Sequence, residues 1–408
     1  MSVALRARRA LAALAAVLAA AAAAATALAA APGDPDPGFD VDGRRTFGYG
    51  GEDRATDLTL LPDGRVVTAG WTTVNGDVAV TRLTRRGAFD RRFGRGGTTD
   101  LDLGGDVRAK AVALQRAGMV VVAGRTSRRA GDMVVLRLRA DGSPDPRFGR
   151  AGVRTLGTAR SDAAYDVAVQ PDGRIVVAGD GGQGADMVVA RLRRDGSIDR
   201  AFGVRGRAAV DLGGIEIASA VALQRDGRIV VAGATSEGDD IAVARLDRDG
   251  TPDRSFGRRG RTTIDAGGSE EAAALALRPD GRIVVAGSTS VGRDMLVARL
   301  RRDGSLDPGF GRRGLRRVGF GNDDFAFDMA LRPDGRIVVA GRGGAGQGMA
   351  VARLRPGGAL DPAFGGDGRA TVDFAGSRDT ALGLGLRGGR VVLAGSSDIQ
   401  VAVARLLG

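Results

Sequence analysis

Short apolar runs and polar turns alternate along this chain, and one unit of the pattern is clear from residue 163 onward. Residues 164–170 alternate in polarity, which predicts a half-buried strand A. Residues 175–179 are apolar at successive positions and predict a strand B that is buried on both faces. Residues 186–192 and 206–212 predict strands C and D. Pro171-Asp172-Gly173-Arg174 predicts a hairpin turn between A and B, because Pro presets φ and Gly accepts positive φ.

This unit recurs seven times with a period of about 54 residues. An Ala-Gly step ends strand B at Gly70, Gly124, Gly179, Gly233, Gly287, Gly341 and Gly395. An Arg-Leu step lies in strand C, with the arginine at Arg82, Arg137, Arg191, Arg245, Arg299, Arg353 and Arg405. A phenylalanine follows at Phe39, Phe93, Phe148, Phe202, Phe256, Phe310 and Phe364. Four short antiparallel strands in a repeat of this length predict an all-β fold, a seven-bladed β-propeller.

The repeat resembles the delta-60 repeat family, a bacterial β-propeller domain of unknown function. The matching segments are a Pro-Asp-Gly-Arg turn, Ile-Val-Val-Ala-Gly, Ala-Arg-Leu and Asp-Gly-Ser-Leu-Asp-Pro-x-Phe-Gly, most complete at residues 279–311. The resemblance covers about residues 36–408. It implies the propeller fold and a secreted or surface-associated location, as in similar bacterial propellers, and it brings no known catalytic residues.

The chain begins and ends out of phase with the repeat. It opens with the end of a C–D connection at residues 34–39 and a strand D near residues 44–48, and it ends with a strand C at residues 401–406. We predict that the N-terminal segment supplies the outer strand of the last blade, which pairs an otherwise open sheet edge.

The strand C arginine and one aspartate occur in every unit, so we interpret them as parts of the architecture. The aspartates are Asp36, Asp90, Asp145, Asp199, Asp253, Asp307 and Asp361. We expect each arginine and aspartate to pair, or to cap turns, between neighbouring blades, and each phenylalanine to lie between sheets. The alternative is seven equivalent active sites; we disfavour it because residues that recur in every blade fit the architecture, whereas function lies in particular sites.

Composition excludes much chemistry. The chain has no Cys and no His, which removes disulfides, thiolate nucleophiles and the Ser-His-Asp triad. We predict no cofactor and no metal site; Asp247 to Asp253 alternates carboxylates but lacks the spacing of a calcium loop, and we interpret it as a turn. The net charge of +12 comes almost wholly from arginine, which fits a GC-rich genome, so it does not by itself predict nucleic acid as a partner.

Residues 1–31 predict a signal peptide. Arg6, Arg8 and Arg9 precede an Ala-rich apolar run, and Ala27-Leu28-Ala29 offers a small-x-small cleavage pattern. The alternative is an uncleaved membrane anchor. Cleavage would leave residues 32–408 as an extracellular, periplasmic or cell-surface propeller without a membrane span, which we expect to be a monomer.

The B–C loops vary in length, and they share one face with the D–A loops. Each D–A loop carries an acid: Asp53, Asp106, Asp162, Glu216, Glu270, Asp324 and Asp379. Strand A should be innermost, so these acids are candidates to ring the mouth of an axial channel and bind a cationic or polyhydroxylated ligand; the alternative is turn capping. Trp71, the only tryptophan, is a candidate to stack on a sugar.

The sequence favours a non-catalytic binding scaffold for a protein, a cell-wall polymer or a glycan. One alternative is a carboxylate-based hydrolase or lyase that acts on polysaccharide or a lactone in the axial channel. It would require one special blade, and Glu270-Glu271, Asp323-Asp324 and Lys110 are the asymmetries that the repeats suggest. A third reading is a structural spacer or adhesin repeat.

Overall fold

The computed structural model describes residues 30–74, 78–105, 107–126, 131–157, 162–181, 186–321, 323–344, 348–374 and 378–408. Seven four-stranded antiparallel sheets form the seven blades, each in the order A-B-C-D. The predicted seven-bladed β-propeller is therefore confirmed. The predicted signal peptide falls outside the described residues except for Ala30 and Ala31. Among the helices described, none has the length and apolar content needed to cross a bilayer.

The strands follow the predicted repeat closely. Strands A of blades 1 to 7 are Asp53–Leu60, Val107–Gln115, Ala163–Val169, Glu216–Leu223, Glu270–Leu277, Phe325–Leu331 and Asp379–Arg387. Strands B are Val66–Thr72, Met119–Thr126, Ile175–Gly181, Ile229–Thr235, Ile283–Thr289, Ile337–Gly343 and Arg390–Ser397. Strands C are Val78–Leu83, Asp132–Leu138, Asp186–Leu192, Ile241–Leu246, Asp294–Leu300, Gly348–Leu354 and Gln400–Leu407. Strands D are Thr98–Leu101, Val153–Leu156, Arg207–Val210, Arg261–Ile264, Leu315–Val318, Arg369–Val372 and, in blade 7, Arg44–Phe47. A 3-10 helix, Arg116–Gly118, connects A to B in blade 2.

The N-terminal strand closes the ring, as predicted. Arg44–Phe47 pairs antiparallel with the last strand of the chain, with Arg44 opposite Ala404 and Phe47 opposite Val401. The seventh sheet therefore contains three C-terminal strands and one N-terminal strand. This arrangement removes the unpaired strand edge that the sequence alone would leave on blade 7.

The apolar core lies between blades and not inside any one of them. Seven buried clusters each combine side chains from two neighbouring blades, including the cluster that joins blade 7 to blade 1. The seven recurring phenylalanines are fully buried in these clusters, which confirms their predicted position between sheets. Burial of this kind stabilises each blade only when its neighbours are in place.

The recurring arginine and aspartate form their ion pair within one blade, which corrects the expectation of pairing between blades. Arg191 Nε donates to Asp199 Oδ2 at 2.7 Å, and the guanidinium carbon lies 4.5 Å from the centre of the Phe202 ring. The reason is geometric: strand C and the C–D connection of one repeat lie side by side. Arg191 Nη1 makes the contact between blades: it donates to the carbonyl of Arg248 in the C–D turn of the next blade, which confirms the other expectation, that these residues cap turns between neighbouring blades.

The recurring Ala-Gly step is explained by a β-bulge in strand A. In blade 3 the register shifts between Ala164 and Asp166, and Gly179 of strand B lies opposite Ala164. A Cβ atom at Gly179 would lie 1.8 Å from the carbonyl oxygen of Ala163. The bulge therefore requires glycine at this position of strand B.

The repeat spacing conceals one irregularity in blade 7. There strands A and B join through a tight turn at Gly388-Gly389, with Arg387 paired to Arg390, whereas blade 6 pairs Leu331 to Ile337 across a longer turn. The preceding D–A loop is longer by one residue, so the two changes cancel. The marker spacing suggested that length varies only in the B–C loops. The structure shows that the A–B and D–A connections of blade 7 vary as well.

Candidate functional site

The B–C and D–A loops share one face of the ring, here called the loop face, and the A–B and C–D connections lie on the opposite turn face. Six of the seven predicted site acids lie in the described part of the chain, at the start of strand A below the loop face. Their side chains are buried: Asp53, Asp162, Glu216, Glu270, Asp324 and Asp379. They do not line the axial cavity described below.

Hydrogen bonds from backbone amides of the D–A loops are accepted by Asp53, Glu216, Glu270, Asp324 and Asp379. Asp53 accepts from the Tyr49 amide at 2.6 Å, and Asp324 accepts from the amides of Phe320 at 2.5 Å and Gly344 at 3.1 Å. The expectation that the acids ring the channel mouth therefore needs correction. The carboxylates turn into the space between blades, where they can satisfy amides that no strand partner reaches.

The remaining predicted acid, Asp106, lies outside the described residues. In blade 2 the strand register places Val107 opposite Thr126, the position that Asp53 holds opposite Thr72 in blade 1. Val107 is buried, as the acids are in the other blades. Blade 2 therefore has an apolar side chain where the other six blades have a carboxylate.

Trp71 is half-buried on strand B of blade 1. The guanidinium carbon of Arg108 lies 4.7 Å from the centre of its ring, and that of Arg54 lies 5.8 Å away. The Trp71 ring, which we predicted to stack on a sugar, thus makes cation–π contacts with these two arginines. Its neighbours Asn75 and Asp77 lie outside the described residues.

A basic cluster surrounds Trp71 on the first two blades, and it was not predicted from the sequence. Arg54 and Arg108 hold equivalent positions in strands A, and Arg108 lies directly opposite Arg125 of strand B. Burial, followed by the positive charges of Arg125, Arg108 and Arg54, lowers the pKa of Lys110. We call Arg54, Arg108, Lys110 and Arg125 the basic cluster. Like charges directly opposite each other in a sheet are destabilising, so this arrangement favours an anionic ligand.

The seven A strands surround an axial cavity of about 150 Å³. The bulge in each strand A turns one side chain toward the axis, and these residues are Thr56, Lys110, Tyr165, Ser219, Ala273, Phe327 and Leu382. The next residue of each strand forms a second ring, in order Asp57, Ala111, Asp166, Ala220, Ala274, Asp328 and Gly383. This second ring breaks the equivalence of the blades.

Each aspartate of the second ring joins two neighbouring blades. Asp57 accepts from the amides of Leu58 in its own blade at 2.6 Å and Val112 in the next blade at 2.7 Å. Asp166 accepts in the same way from Val167 and Val221, both at 2.7 Å. Asp328 does so from Met329 at 2.7 Å and Leu384 at 2.5 Å. The three aspartates therefore link blades 1 and 2, 3 and 4, and 6 and 7.

Confinement in the ring makes these three carboxyls hard to ionise. Burial raises the pKa of Asp166 to about 7. Burial, opposed by two amide hydrogen bonds and reinforced by the charge of Asp166, raises that of Asp328 to about 7. Burial and the charge of Asp328 raise the pKa of Asp57 well above its usual value. Three mutually interacting carboxyls thus face one narrow cavity.

Sequence reasoning overlooked these aspartates, although a signal exists. When the seven A strands are aligned on the bulge, the second ring position holds Ala or Gly in four blades and Asp in three. The bulge shifts the polarity alternation by one residue, so Asp166 looked like an ordinary outward-facing position of a strand. The position of Asp166 falls on the lining of the axial cavity only when the bulge is included in the strand register.

The carboxylates of the predicted turn at Asp247 to Asp253 contact arginine side chains and a threonine. Asp247 lies 3.0 Å from Arg228 Nε, and Asp253 lies 2.7 Å from Arg245 Nε. Asp249 accepts from the Thr251 amide at 3.0 Å and its hydroxyl at 2.7 Å. These contacts are those of a stabilised turn.

A closed ring of seven equivalent sheets defines the class of protein, a seven-bladed β-propeller. A family model described as "Domain of unknown function (DUF5122) beta-propeller" matches residues 61–93, 116–148, 170–202, 224–256, 278–310 and 332–364. Through these six repeats the chain belongs to that family, in agreement with the delta-60 resemblance.

Other comparisons add little. A search among curated proteins finds no match. Among solved structures, the chain is similar to a protein from Lactobacillus plantarum whose crystal structure was determined by a structural genomics consortium. The sequence identity is 16%, the match covers 78% of this chain and 84% of that chain, and the TM-score is 0.48.

Proposed function

We propose that this protein is an exported, non-catalytic scaffold that binds a protein, a cell-wall polymer or a glycan through its loop face. The observation that carries the proposal is a contrast between the two faces. On the turn face the same contacts recur: Asp141, Asp195 and Asp303 each accept from the serine two residues later at 2.9 Å. On the loop face the side chains change from blade to blade: Glu237 of blade 4 corresponds to Val291 of blade 5, and Asp239 of blade 4 corresponds to Arg293 of blade 5. Varied loops on a constant ring are the usual location of a binding site.

The basic cluster favours an anionic partner among these classes. Arg54 and Arg108 are exposed, and Lys110, two residues after Arg108, lines the axial cavity. Four cations lie together on these two blades, with Glu52 3.1 Å from Arg54, and such a concentration of positive charge attracts anions. This local arrangement, and not the net charge of the chain, supports an acidic glycan or an anionic cell-wall polymer as the ligand.

Binding of the purified protein to dextran sulfate and to neutral dextran, at two salt concentrations, tests this proposal. The test variant combines Arg108→Ala, Lys110→Ala and Arg125→Ala. A matched control removes three exposed arginines from the turn face, Arg91, Arg200 and Arg254, all by substitution with alanine. We expect dextran sulfate binding that weakens with salt, is lost in the test variant and persists in the control. Equal loss in both variants would indicate nonspecific attraction to net charge, and a protein-array hit that survives the test variant would point to a protein partner.

The second candidate is a carboxylate-based hydrolase or lyase in the axial cavity. The observation that favours it is the pKa of about 7 for Asp166 and Asp328, which suits general acid catalysis near neutral pH. Against it, the cavity of about 150 Å³ is smaller than the roughly 300–1,000 Å³ of ordinary ligand sites. Hydrolysis of a polysaccharide or lactone by the protein, abolished by Asp166→Ala and unaffected by the basic-cluster variant, would establish this candidate over the first.

A further inference from the structure

Three carboxylates from two blades meet below the loop face. Asp186 begins strand C of blade 3, Asp211 directly follows strand D of the same blade, and Glu216 begins strand A of blade 4. One carboxylate oxygen from each lies within 4.8 Å of the others. Asp211 is exposed, Asp186 is half-buried and Glu216 is fully buried, so the group is open to solvent on one side.

Glu216 has an oxygen without a hydrogen-bond partner. Its Oε1 accepts from the Gly214 amide at 2.8 Å and from the Thr235 hydroxyl at 3.2 Å. Its Oε2 is buried and has no partner. A buried carboxylate oxygen that nothing satisfies destabilises the fold unless a cation occupies the space beside it.

The protein itself does not supply that cation. In the described part of the chain, no ion pair involves Asp186, Asp211 or Glu216, although the protein contains 60 basic residues. The group therefore holds three carboxylates close together with no arginine or lysine paired to them in the described residues.

The corresponding positions between other blades show what the protein does when the third acid is missing. Gly157 and Gly319 replace Asp211 there. A Cβ at Gly319 would lie 2.5 Å from Asp294 Oδ1, so the remaining strand C aspartate occupies that space. The charges of Arg317 and Arg369 also act on Asp294, whose pKa is raised first by burial and the charge of Asp324. The three-acid group thus has more negative charge and less neutralisation than its two-acid equivalents.

We propose that Asp186, Asp211 and Glu216 bind a hard divalent cation of the Ca²⁺ type between blades 3 and 4. Ligands that are all carboxylate oxygens select Ca²⁺, Mg²⁺ or Mn²⁺ over softer metals. Oxygens at about 2.3–2.6 Å from Ca²⁺ lie up to about 5 Å apart across the ion, which fits the observed separation. The exposed side of the group leaves room for water ligands. The bound ion would hold the loop of residues 211–216 against strand C of blade 3; this inference does not depend on the identity of the partner proposed above.

A second group offers an internal comparison. Asp240, Asp265 and Glu270 are arranged in the same way between blades 4 and 5. Both Glu270 oxygens accept hydrogen bonds there, from the Ala266 amide at 3.1 Å and the Thr289 hydroxyl at 2.8 Å. With its buried glutamate satisfied, this group is not part of the proposal.

Isothermal titration of Ca²⁺ into metal-free protein, with melting curves with and without Ca²⁺, tests the site. We expect saturable binding by the native protein and a higher melting temperature with Ca²⁺. Asp211→Asn keeps an oxygen for the Gly213 amide, which donates to Asp211 Oδ1 at 2.7 Å, but removes a charge. It should weaken Ca²⁺ binding by about tenfold or more. Glu216→Gln should also weaken Ca²⁺ binding. Asp211→Gly reproduces the natural residue of blades 2 and 5 and should weaken binding too, so it replaces Glu216→Gln as a test if that variant misfolds.

Two control variants define specificity. Asp294→Asn lies in a two-acid group, and Asp265→Asn lies in the second three-acid group; both should retain the binding that Asp211→Asn removes. The proposal is overturned if the native protein shows no heat or melting shift with Ca²⁺ up to about 10 mM, beyond the range of weak extracellular calcium sites. It is also overturned if Asp211→Asn binds as tightly as the native protein. The dextran sulfate assay is also carried out in EDTA, which removes Ca²⁺. Because that assay then tests the proposed function without the calcium site, failure of one proposal can be told apart from failure of the other.

Discussion

Arg405 donates from Nε to Asp36 Oδ2 at 2.8 Å, across a separation of 369 residues in the chain. The contact is the same one that Arg191 and Asp199 make within eight residues of each other. Arg390 Nε also donates to Asp36 Oδ2. The ring is therefore closed by the ordinary contact of a blade, made once between the two ends of the chain, and its loss should affect the whole ring.

Asp36→Ala should lower the free energy of unfolding by about 3–5 kcal/mol, because it leaves the mostly buried Arg405 without its partner. Denaturant unfolding measures the change. Glu52→Ala is the control, since Glu52 and Arg54 form an exposed pair at 3.1 Å, whose loss should cost at most about 1 kcal/mol.

Deletion of residues 36–50 should lower the melting temperature sharply, because it removes strand D of blade 7 together with Asp36 and the buried Phe39. Differential scanning calorimetry of the shortened protein checks this. An unchanged melt would show that the N-terminal strand does not hold the ring together.

Gly179→Ala should destabilise the protein by at least about 1–3 kcal/mol, because the new methyl group would collide with the Ala163 carbonyl at the strand A bulge. Gly357→Ala is the matched control; a Cβ there meets no atom within 4 Å, and its φ is not in the left-handed region. Urea midpoints compare the two variants. Similar midpoints would mean that the Ala-Gly step does not reflect the bulge.

Stability should fall as pH rises from about 4 to about 7. Burial raises the pKa of Asp166 to about 7 from an ordinary value of 3.8, so the folded protein binds more protons than the unfolded chain over this interval. The stabilisation is complete below the unfolded pKa and is lost as pH rises through the folded one. Denaturant unfolding at pH 5 and pH 8 should therefore give a lower free energy of unfolding at pH 8.

Asp166→Ala tests the origin of this slope. Blades 2, 4 and 5 carry alanine at the same ring position, so the backbone accepts it. The variant should show a smaller difference between pH 5 and pH 8 than the native protein, whatever its absolute stability. An unchanged slope would assign the pH dependence to other groups.

The aspartates of the ion pairs should act in the opposite direction and at lower pH. Burial alone would raise the pKa of Asp307, but the Gly309 amide and Arg299 outweigh it and lower the pKa below 3.8. A lowered folded pKa contributes stability above the unfolded value that is lost as pH falls below it. We therefore expect a second loss of stability below about pH 4, which Asp307→Asn should reduce in acid titrations followed by circular dichroism.

Export predicts a defined N-terminus. Expression of the full chain in a bacterial host should release protein that begins between Ala30 and Pro32, just after the Ala27-Leu28-Ala29 pattern. Mass spectrometry of the extracytoplasmic fraction measures the N-terminus. An intact N-terminus in the membrane fraction would favour the anchor, and intact protein confined to the cytoplasm would contradict export.

The sequence by itself determined the seven repeats, the four strands of each blade and the closure by the N-terminal strand. These features depend on polarity alternation and turn residues, which act over a few neighbouring positions, and repetition confirms each of them seven times. Residues 186–192, for example, were predicted as a strand and form one with the same bounds.

Only the tertiary structure decided which side chains meet. The bulge in strand A brings the residues that follow it, Asp57, Asp166 and Asp328, into the lining of the axial cavity, and a one-residue shift of register cannot be read from polarity alternation. Asp186, Asp211 and Glu216 come together from two blades, and the basic cluster likewise combines blades 1 and 2. Contacts across neighbouring sheets depend on how the blades pack. The repeat is nearly the same in every blade, so it does not specify which of the residues that depart from it lie next to each other.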